Sequence, residues 1–284
     1  MIALLRDVIV LTKLPISAAV TLTTALGFLL FDGRVTADLG WCLLGTLLAA
    51  TSASALNQVQ DAARDARMAR TASRPLPGGR IDRATAVFVA TVLALLGFAA
   101  LATVSTYPLS AMGLTALAMA WYNGGYAGLK RVTAFAVVPG AAIGSIPPMV
   151  GWVSAGGSLD DPAIWLVATL LFLWQVPHFW LLVMRHGDEY AAAGLPSLTE
   201  RFSPAALARI TFAWTLAAVA FAPGVALSVG AGPVPFAVVT ALSVALAGAS
   251  LPLLRVSPDG APGAAVPAAA APAAAPAAPA AAAP

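Results

Sequence analysis

The sequence predicts an all-α, polytopic transmembrane helix bundle, and three observations carry that prediction. First, 60% of the 284 residues are hydrophobic and only 27 are charged, about one in ten against about a quarter in soluble domains. A water-soluble domain of this size could not cover its surface with so few charges, and the same apolar excess excludes disorder for most of the chain. Second, the chain divides into uncharged intervals at 14–31, 39–60, 84–129, 132–159, 162–184 and 210–254, and a spanning helix needs about 20 mostly apolar residues. Third, when these intervals are threaded back and forth, the basic residues collect on one side. One cysteine, Cys42, excludes a disulfide framework or a multi-cysteine metal site and reads as packing. A net charge of +3 is too small to mark a nucleic-acid partner; the expected surroundings are a lipid bilayer.

The interval 14–31 reads as a span, not a signal peptide, because no small-residue cleavage site follows a short apolar core. The second span, 39–60, runs into a long polar loop. Ser105-Thr106-Tyr107-Pro108 divides 84–129 into a third and a fourth span, and Gly230-Ala231-Gly232-Pro233 divides 210–254 into a seventh and an eighth. The fifth and sixth are 132–159 and 162–184. With the N-terminus in the cytoplasm, fourteen of the fifteen Lys and Arg lie inside and only Arg34 outside, the bias expected of a multi-pass inner-membrane protein. The long loops after the second and sixth spans then share the cytoplasmic side, where chemistry is expected. The membrane domain covers 1–256. From 257 to 284 alanine and proline dominate, and proline every three to five residues forbids a regular helix, so this tail is expected to be disordered.

In the first acidic loop Asn57, Asp61 and Asp65 stand at i, i+4 and i+8. On a helix they share one face, about 6 Å apart in rise. Two carboxylates and an amide so placed make a hard-oxygen edge suited to Mg²⁺, which favours one or two carboxylates together with phosphate oxygens. Arg64, Arg67, Arg70 and Arg74 add fork-shaped donors for phosphate. The plainer alternative is a solvated helix end with ion pairs such as Asp61 with Arg64. Two points weigh against it. Acids near a helix C-terminus oppose the helix dipole, and the inside bias accounts for arginine but not for aspartate.

The sixth span ends Trp174-Gln175-Val176-Pro177-His178-Phe179-Trp180. Gln175 and His178 share a face, and polar side chains inside a span are expensive unless they meet a cavity or ligand. Pro177 is expected to kink the helix or free a carbonyl. Asp188 and Glu189 follow as a second acid pair, with His186 read as a solvated loop residue. Two acid clusters on one side could hold Mg²⁺ ions across a diphosphate, reversing the local sign and turning the diphosphate into a leaving group. An allylic diphosphate needs only stabilisation of the departing charge, and aromatic faces can steady the cation.

Asn57-x3-Asp61-x3-Asp65 with Met68-Ala69-Arg70-Thr71-x2-Arg74-Pro75-Leu76-Pro77 resembles the UbiA-type intramembrane prenyltransferases. Leu129-Lys130-Arg131-x-Thr133 agrees, as does Gly144-x2-Pro147-Pro148-x2-Gly151-Trp152. So does Trp174-Gln175-x-Pro177-His178-Phe179-Trp180 with Asp188-Glu189-Tyr190-x3-Gly194-x-Pro196. The spacing is consistent from Leu11 to Arg255, and the Pro-His-Phe-Trp stretch is similar to the haem-farnesylating branch, not the quinone branch. The resemblance implies Mg²⁺-dependent transfer of farnesyl from farnesyl diphosphate to a vinyl group of haem B, giving haem O and diphosphate. It implies Asn57, Asp61, Asp65 and Asp188 as catalytic, with Asp61, Asp65, Asp188 and Glu189 holding metal. Arg70, Arg74, Lys130 and Arg131 would bind diphosphate or haem propionates; Gln175, His178 and Tyr190 would be further substrate contacts, His178 against haem. Downstream partners would be a haem A synthase or terminal oxidase assembly. The chain departs from the family pattern at Ala63 and Ala136, in having Asp188-Glu189 where two aspartates are usual, and in eight spans where nine are usual. Two other readings stay open: prenylation of an aromatic quinone precursor, and a membrane transporter without catalysis.

Overall fold

Capping chemistry sets most of the helix limits. In this computed structural model, which describes residues 2–192 and 194–257 and all their side chains but those of 2–4, 188, 190 and 192, the chain forms α1 (Ile2–Leu11), α2 (Leu14–Asp32), α3 (Ala37–Asp65), α4 (Arg83–Ala102), α5 (Pro108–Ala120), α6 (Ala127–Leu129), α7 (Val137–Ser154), α8 (Pro162–Ala192), α9 (Pro204–Ser228) and α10 (Pro233–Ser250). Thr36 caps α3 by accepting from Leu39 N, Asp82 caps α4 from Thr85 N, and Ser203 caps α9 from Ala206 N. Each satisfies an N–H that the first turn leaves orphaned. Prolines open α5, α8, α9 and α10, where a missing N–H costs nothing. Gly33, at φ 68°, closes α2 with its N–H on Leu29 O. Among the described residues there is no strand, and the fold class is the all-helical membrane bundle expected.

Among the described residues seven helices are long and apolar enough to cross a membrane, against the eight that the sequence predicts. The stretch outside that count is 108–129. It is helical throughout, but α5 stops at Ala120, a π-helical stretch follows over Trp121–Tyr126, and α6 completes the run. Hydropathy reports apolar length and is blind to a local change from i→i−4 to i→i−5 bonding. α8 narrows a second expectation. Pro177 lies inside it, where its missing N–H leaves a carbonyl free, and the backbone leaves helical geometry not there but at His186 (φ −125°, ψ 20°). At that break α8 passes close to the following turn: a Cβ added to Gly187 would lie 2.6 Å from Thr199 Oγ1. The tail assigned to 257–284 lies outside the described residues beyond Ser257.

The packing order runs α4, α3, α2, α7, α8, α9, α10, with α5 against α7. α3 and the span ending in α7 are the most enclosed, each with 56% of its spanning window buried against 11% for α10, which packs mainly on α9. α2 and α7 meet at a glycine seam. A Cβ on Gly27 would stand 1.9 Å from Pro148 O, and one on Gly151 would stand 2.0 Å from Thr24 O, so both backbones approach through the space that side chains would fill. Gly151→Ala is therefore expected to force α2 and α7 apart and to cost at least about 2 kcal/mol. Unfolding of the detergent-solubilised variant checks this; an unchanged midpoint would show that the seam can relax.

Candidate active site

α3 carries the acceptor row well into the bundle. It runs unbroken from Ala37 to Asp65, so Asn57, Asp61 and Asp65 project from successive turns of one face. Asn57 and Asp65 are buried, and the Asp61 side chain is 14% exposed. The row is linked within itself: Asn57 Nδ2 donates to Asp61 Oδ2 at 3.2 Å. Each member also meets one cation from a different part of the chain. Lys13 Nζ donates to Asn57 Oδ1 at 2.9 Å. Lys130 Nζ makes a short contact with Asp61 Oδ2. Arg74 Nη1 donates to Asp65 Oδ2 at 2.6 Å.

Local structure explains how those cations arrive. Lys13 occupies the elbow between α1 and α2 in left-handed backbone (φ 47°, ψ 45°), a conformation that costs a non-glycine residue free energy and persists only when its surroundings hold it. Gln58 supplies that hold: its Nε2 donates to Val10 O at 2.6 Å and Leu11 O at 3.0 Å, capping the end of α1. Desolvation first, then the Arg74 and Lys130 cations, push the pKa of Lys13 down to about 8. Arg74 rides on the loop after α3, which Thr71 Oγ1 pins to Asp65 O at 2.9 Å and Arg80 braces against Asp7 of α1. Lys130 follows α6 and lies 5.8 Å above the Tyr126 ring. The π-helical stretch turns Tyr122 OH to Asn57 Oδ1 at 3.3 Å, sets Asn123 Nδ2 on Ala53 O and brings Asn123 O to Gln60 Nε2.

The electrostatic balance favours an anion. Arg64 and Arg131 each stand 3.9 Å from Asp61 Oδ1. Five cations (Lys13, Arg64, Arg74, Lys130, Arg131) less two carboxylates leave three positive charges around the row. The Asp61–Arg64 pair of the plainer reading is present, but it is the longest kind of contact in a larger network. Asp61 Oδ1 is buried and accepts no hydrogen bond. That orphaned carboxylate oxygen fits a hard cation, as a satisfied carboxylate would not.

The second acidic segment reaches the loop after α3 through Glu189, and among the described residues no three acidic, histidine or cysteine side chains cluster closely enough to hold a metal ion. Arg70 Nε lies 3.7 Å from Glu189 Oε2, and His186 Nδ1 is 3.3 Å from Glu189 Oε1. His186 is thus a hydrogen-bonding neighbour of Glu189 at the α8 break, not a free loop residue. The side chains of Asp188 and Tyr190 lie outside the described residues. Gln175 occupies the space above Gly144, where a Cβ would stand 1.7 Å from its Oε1, and His178 is exposed and stacked on Trp174 at 4.9 Å. Gly140 likewise makes room for the Tyr126 ring, so this glycine pair accommodates side chains, not helix backbones. A cavity of about 50 Å³ borders Lys130, Tyr126 and Phe179, and a larger apolar one of about 340 Å³ lies among α5, α7 and α8 beside Ser145, Met149 and Phe172. Lys13 and Tyr122 are the site residues that sequence reasoning missed.

The helical bundle, with its buried acid-and-amide row ringed by surplus cations at the end of α3, defines a multi-pass membrane protein with a charged site beside an apolar interior. The chain belongs to the UbiA prenyltransferase family, whose pattern matches residues 20–270. It is 38% identical over 198 residues to the protoheme IX farnesyltransferase of Oleidesulfovibrio alaskensis, covering 68% of each chain. It is 38% identical over 248 residues to that of Anaeromyxobacter sp. (strain Fw109-5), covering 86% of this chain and 81% of the relative. Its fold is similar to a UbiA homologue from Archaeoglobus fulgidus bound to GPP and Mg²⁺, with a TM-score of 0.65 at 14% identity over 88% of this chain and all of the other.

The buried pairs make a stability prediction. Lys130→Gln strands a mostly buried Asp61 and should destabilise the protein by about 2–4 kcal/mol, and adding Asp61→Asn should restore part of that loss. Unfolding of both variants in detergent measures the coupling. Strictly additive losses would mean that the two side chains do not interact.

Proposed function

We propose that the protein transfers a farnesyl group from farnesyl diphosphate to a vinyl group of haem B, with water adding, to give haem O and diphosphate. The site lies on the cytoplasmic side of the inner membrane. The observation that carries the reading is the cation-ringed row Asn57–Asp61–Asp65 in a chain whose relatives bear the name protoheme IX farnesyltransferase. The acceptor rests on that kinship and on the Trp174-to-Trp180 stretch.

Asp61 and Asp65 would hold Mg²⁺, Asp188 and Glu189 completing the set from α8; the Asp61 oxygen that accepts no hydrogen bond supports this assignment. When bound, the metal supplies positive charge to the diphosphate as it leaves. The protein does the rest by placement. Lys130, Arg74, Arg64 and Arg131 offer donors to phosphate oxygens, the Arg forks suiting bidentate contact. As the C1–O bond breaks, both electrons pass to the departing oxygen, and preorganised donors stabilise that charge without reorganisation. The stacked rings of Tyr122 and Tyr126, 6.1 Å apart, present π faces beside the row that can steady the allylic cation. A vinyl carbon of haem B captures that cation. Water then adds to the resulting centre and loses a proton, leaving the hydroxyethylfarnesyl chain. The hydrocarbon tail needs only the apolar bundle, and no catalytic base is required for ionisation.

Purified protein supplied with farnesyl diphosphate, haem B and Mg²⁺ is expected to form farnesylated haem, and chelation of the metal should abolish it. An aromatic quinone precursor in place of haem is expected to give no product; prenylation of that acceptor alone would reassign the enzyme. Asp61→Asn and Asp65→Asn should each lower turnover by more than about 100-fold while membrane insertion persists. Turnover at wild-type level in either would refute the metal assignment.

A further inference from the structure

The chain has two lysines, Lys13 and Lys130, and both end on the acceptor row. The row and its cations form a ladder with one rung per turn of α3: Lys13 on Asn57, Lys130 on Asp61, Arg74 on Asp65. The rungs differ in depth. Asn57 precedes Asp65 by eight residues, about 12 Å further from the helix end. Lys13 is therefore the cation nearest the boundary between the charged mouth and the apolar interior. An amphiphilic diphosphate crosses that boundary at one bond, the one joining its hydrocarbon to its first phosphate. Lys13 also differs from the other two in how it is mounted. It sits on a strained elbow between two helices, clamped by Gln58, and its partner is a neutral amide, so its full charge remains available.

We propose that Lys13 is a catalytic residue that leaves Asn57 for the diphosphate and neutralises the oxygen on which charge develops as the allylic C1–O bond breaks. The bond's electron pair goes to that oxygen, and the ammonium donates a hydrogen bond to it without giving up its proton. Lys130, Arg74 and the other arginines then hold the outer phosphate. The inference rests on the diphosphate reading above and adds a division of labour within it.

The test separates binding from bond breaking. Lys13→Gln is expected to lower kcat by about 100-fold while weakening the affinity for inorganic diphosphate with Mg²⁺ by less than about tenfold. Lys13→Arg should recover most of the loss. Wild-type kcat in Lys13→Gln would overturn the proposal. So would a loss of kcat and of diphosphate affinity that both follow the folded fraction in a thermal melt, the mark of a purely structural lysine. The unmutated protein gives an independent answer. After reductive ¹³C-methylation its two lysines yield two side-chain resonances besides the amino terminus. Titration with Mg²⁺ and inorganic diphosphate should shift both with one Kd; a shift at Lys130 alone would exclude Lys13 from the ligand. Wild-type protein that releases no diphosphate from farnesyl diphosphate would sink the underlying reading, whereas active wild type with an indifferent Lys13 sinks only this inference.

Discussion

A carboxylate buried at the end of a membrane helix is too costly to stand without a partner, and much of this chain's irregular structure serves to bring partners to two of them. Asp61 and Asp65 lie on α3 with their cations supplied from outside it: Lys130 from the segment after α6 and Arg74 from the loop after α3. Neither cation is near its acid in the local helix sense, so the pairs fix tertiary geometry. They tie α3 to its own following loop and to the π-interrupted helix. Asn57, the neutral member, links the acids to the α1–α2 elbow through Lys13 and to the π-helical stretch through Tyr122. One face of one helix thereby organises four separate segments.

That arrangement depends on where α2 begins, and the glycine seam sets it. With Gly27 and Gly151 letting α2 and α7 touch backbone to backbone, α2 has no freedom to slide. Its first turn, and the elbow before it, are held at a definite height beside α3. Gln58 then seals the junction from the α3 side by taking two carbonyls at the end of α1. Packing in the apolar layer thus reaches the polar mouth through a rigid helix, and the unfavourable backbone of Lys13 is sustained by contacts on both sides.

The helices and the acid row were legible in the sequence for plain physical reasons. Spanning length follows from uncharged intervals, and the alignment of Asn57, Asp61 and Asp65 follows from the helical repeat. What escaped was everything that depends on partners distant in sequence. Lys13 reads as one more basic residue before a span, because nothing local tells that its neighbour is Asn57, 44 residues on. Tyr122 belongs to an apolar run whose π-helical turn leaves no trace in hydropathy. Pro177 was the visible candidate for a break in α8, but the break falls at His186, where Gly187 crowds Thr199. A proline can be absorbed by a helix whose freed carbonyl is tolerated, and the lack of a side chain at Gly187 is what lets α8 pass close to Thr199 just beyond the break.

The same pairs that stabilise the row would shape how an anion enters it. Lys130 and Arg74 already hold carboxylates at close range, so a phosphate oxygen must compete for them. Arg64 and Arg131, at 3.9 Å from Asp61, hold less and yield first. On the proposed reading, arginines drawn to a diphosphate would leave Asp61 Oδ1 with fewer positive neighbours and a greater demand for a cation. Anion capture by the arginines and cation capture by the aspartate would then favour one another. A site with fewer cations would leave the anion short of partners, and one with all its cations tightly paired would refuse it. The mixture of close and distant pairs around Asp61 lets the chain be folded and closed to stray charge, yet ready to exchange partners when both ligands arrive.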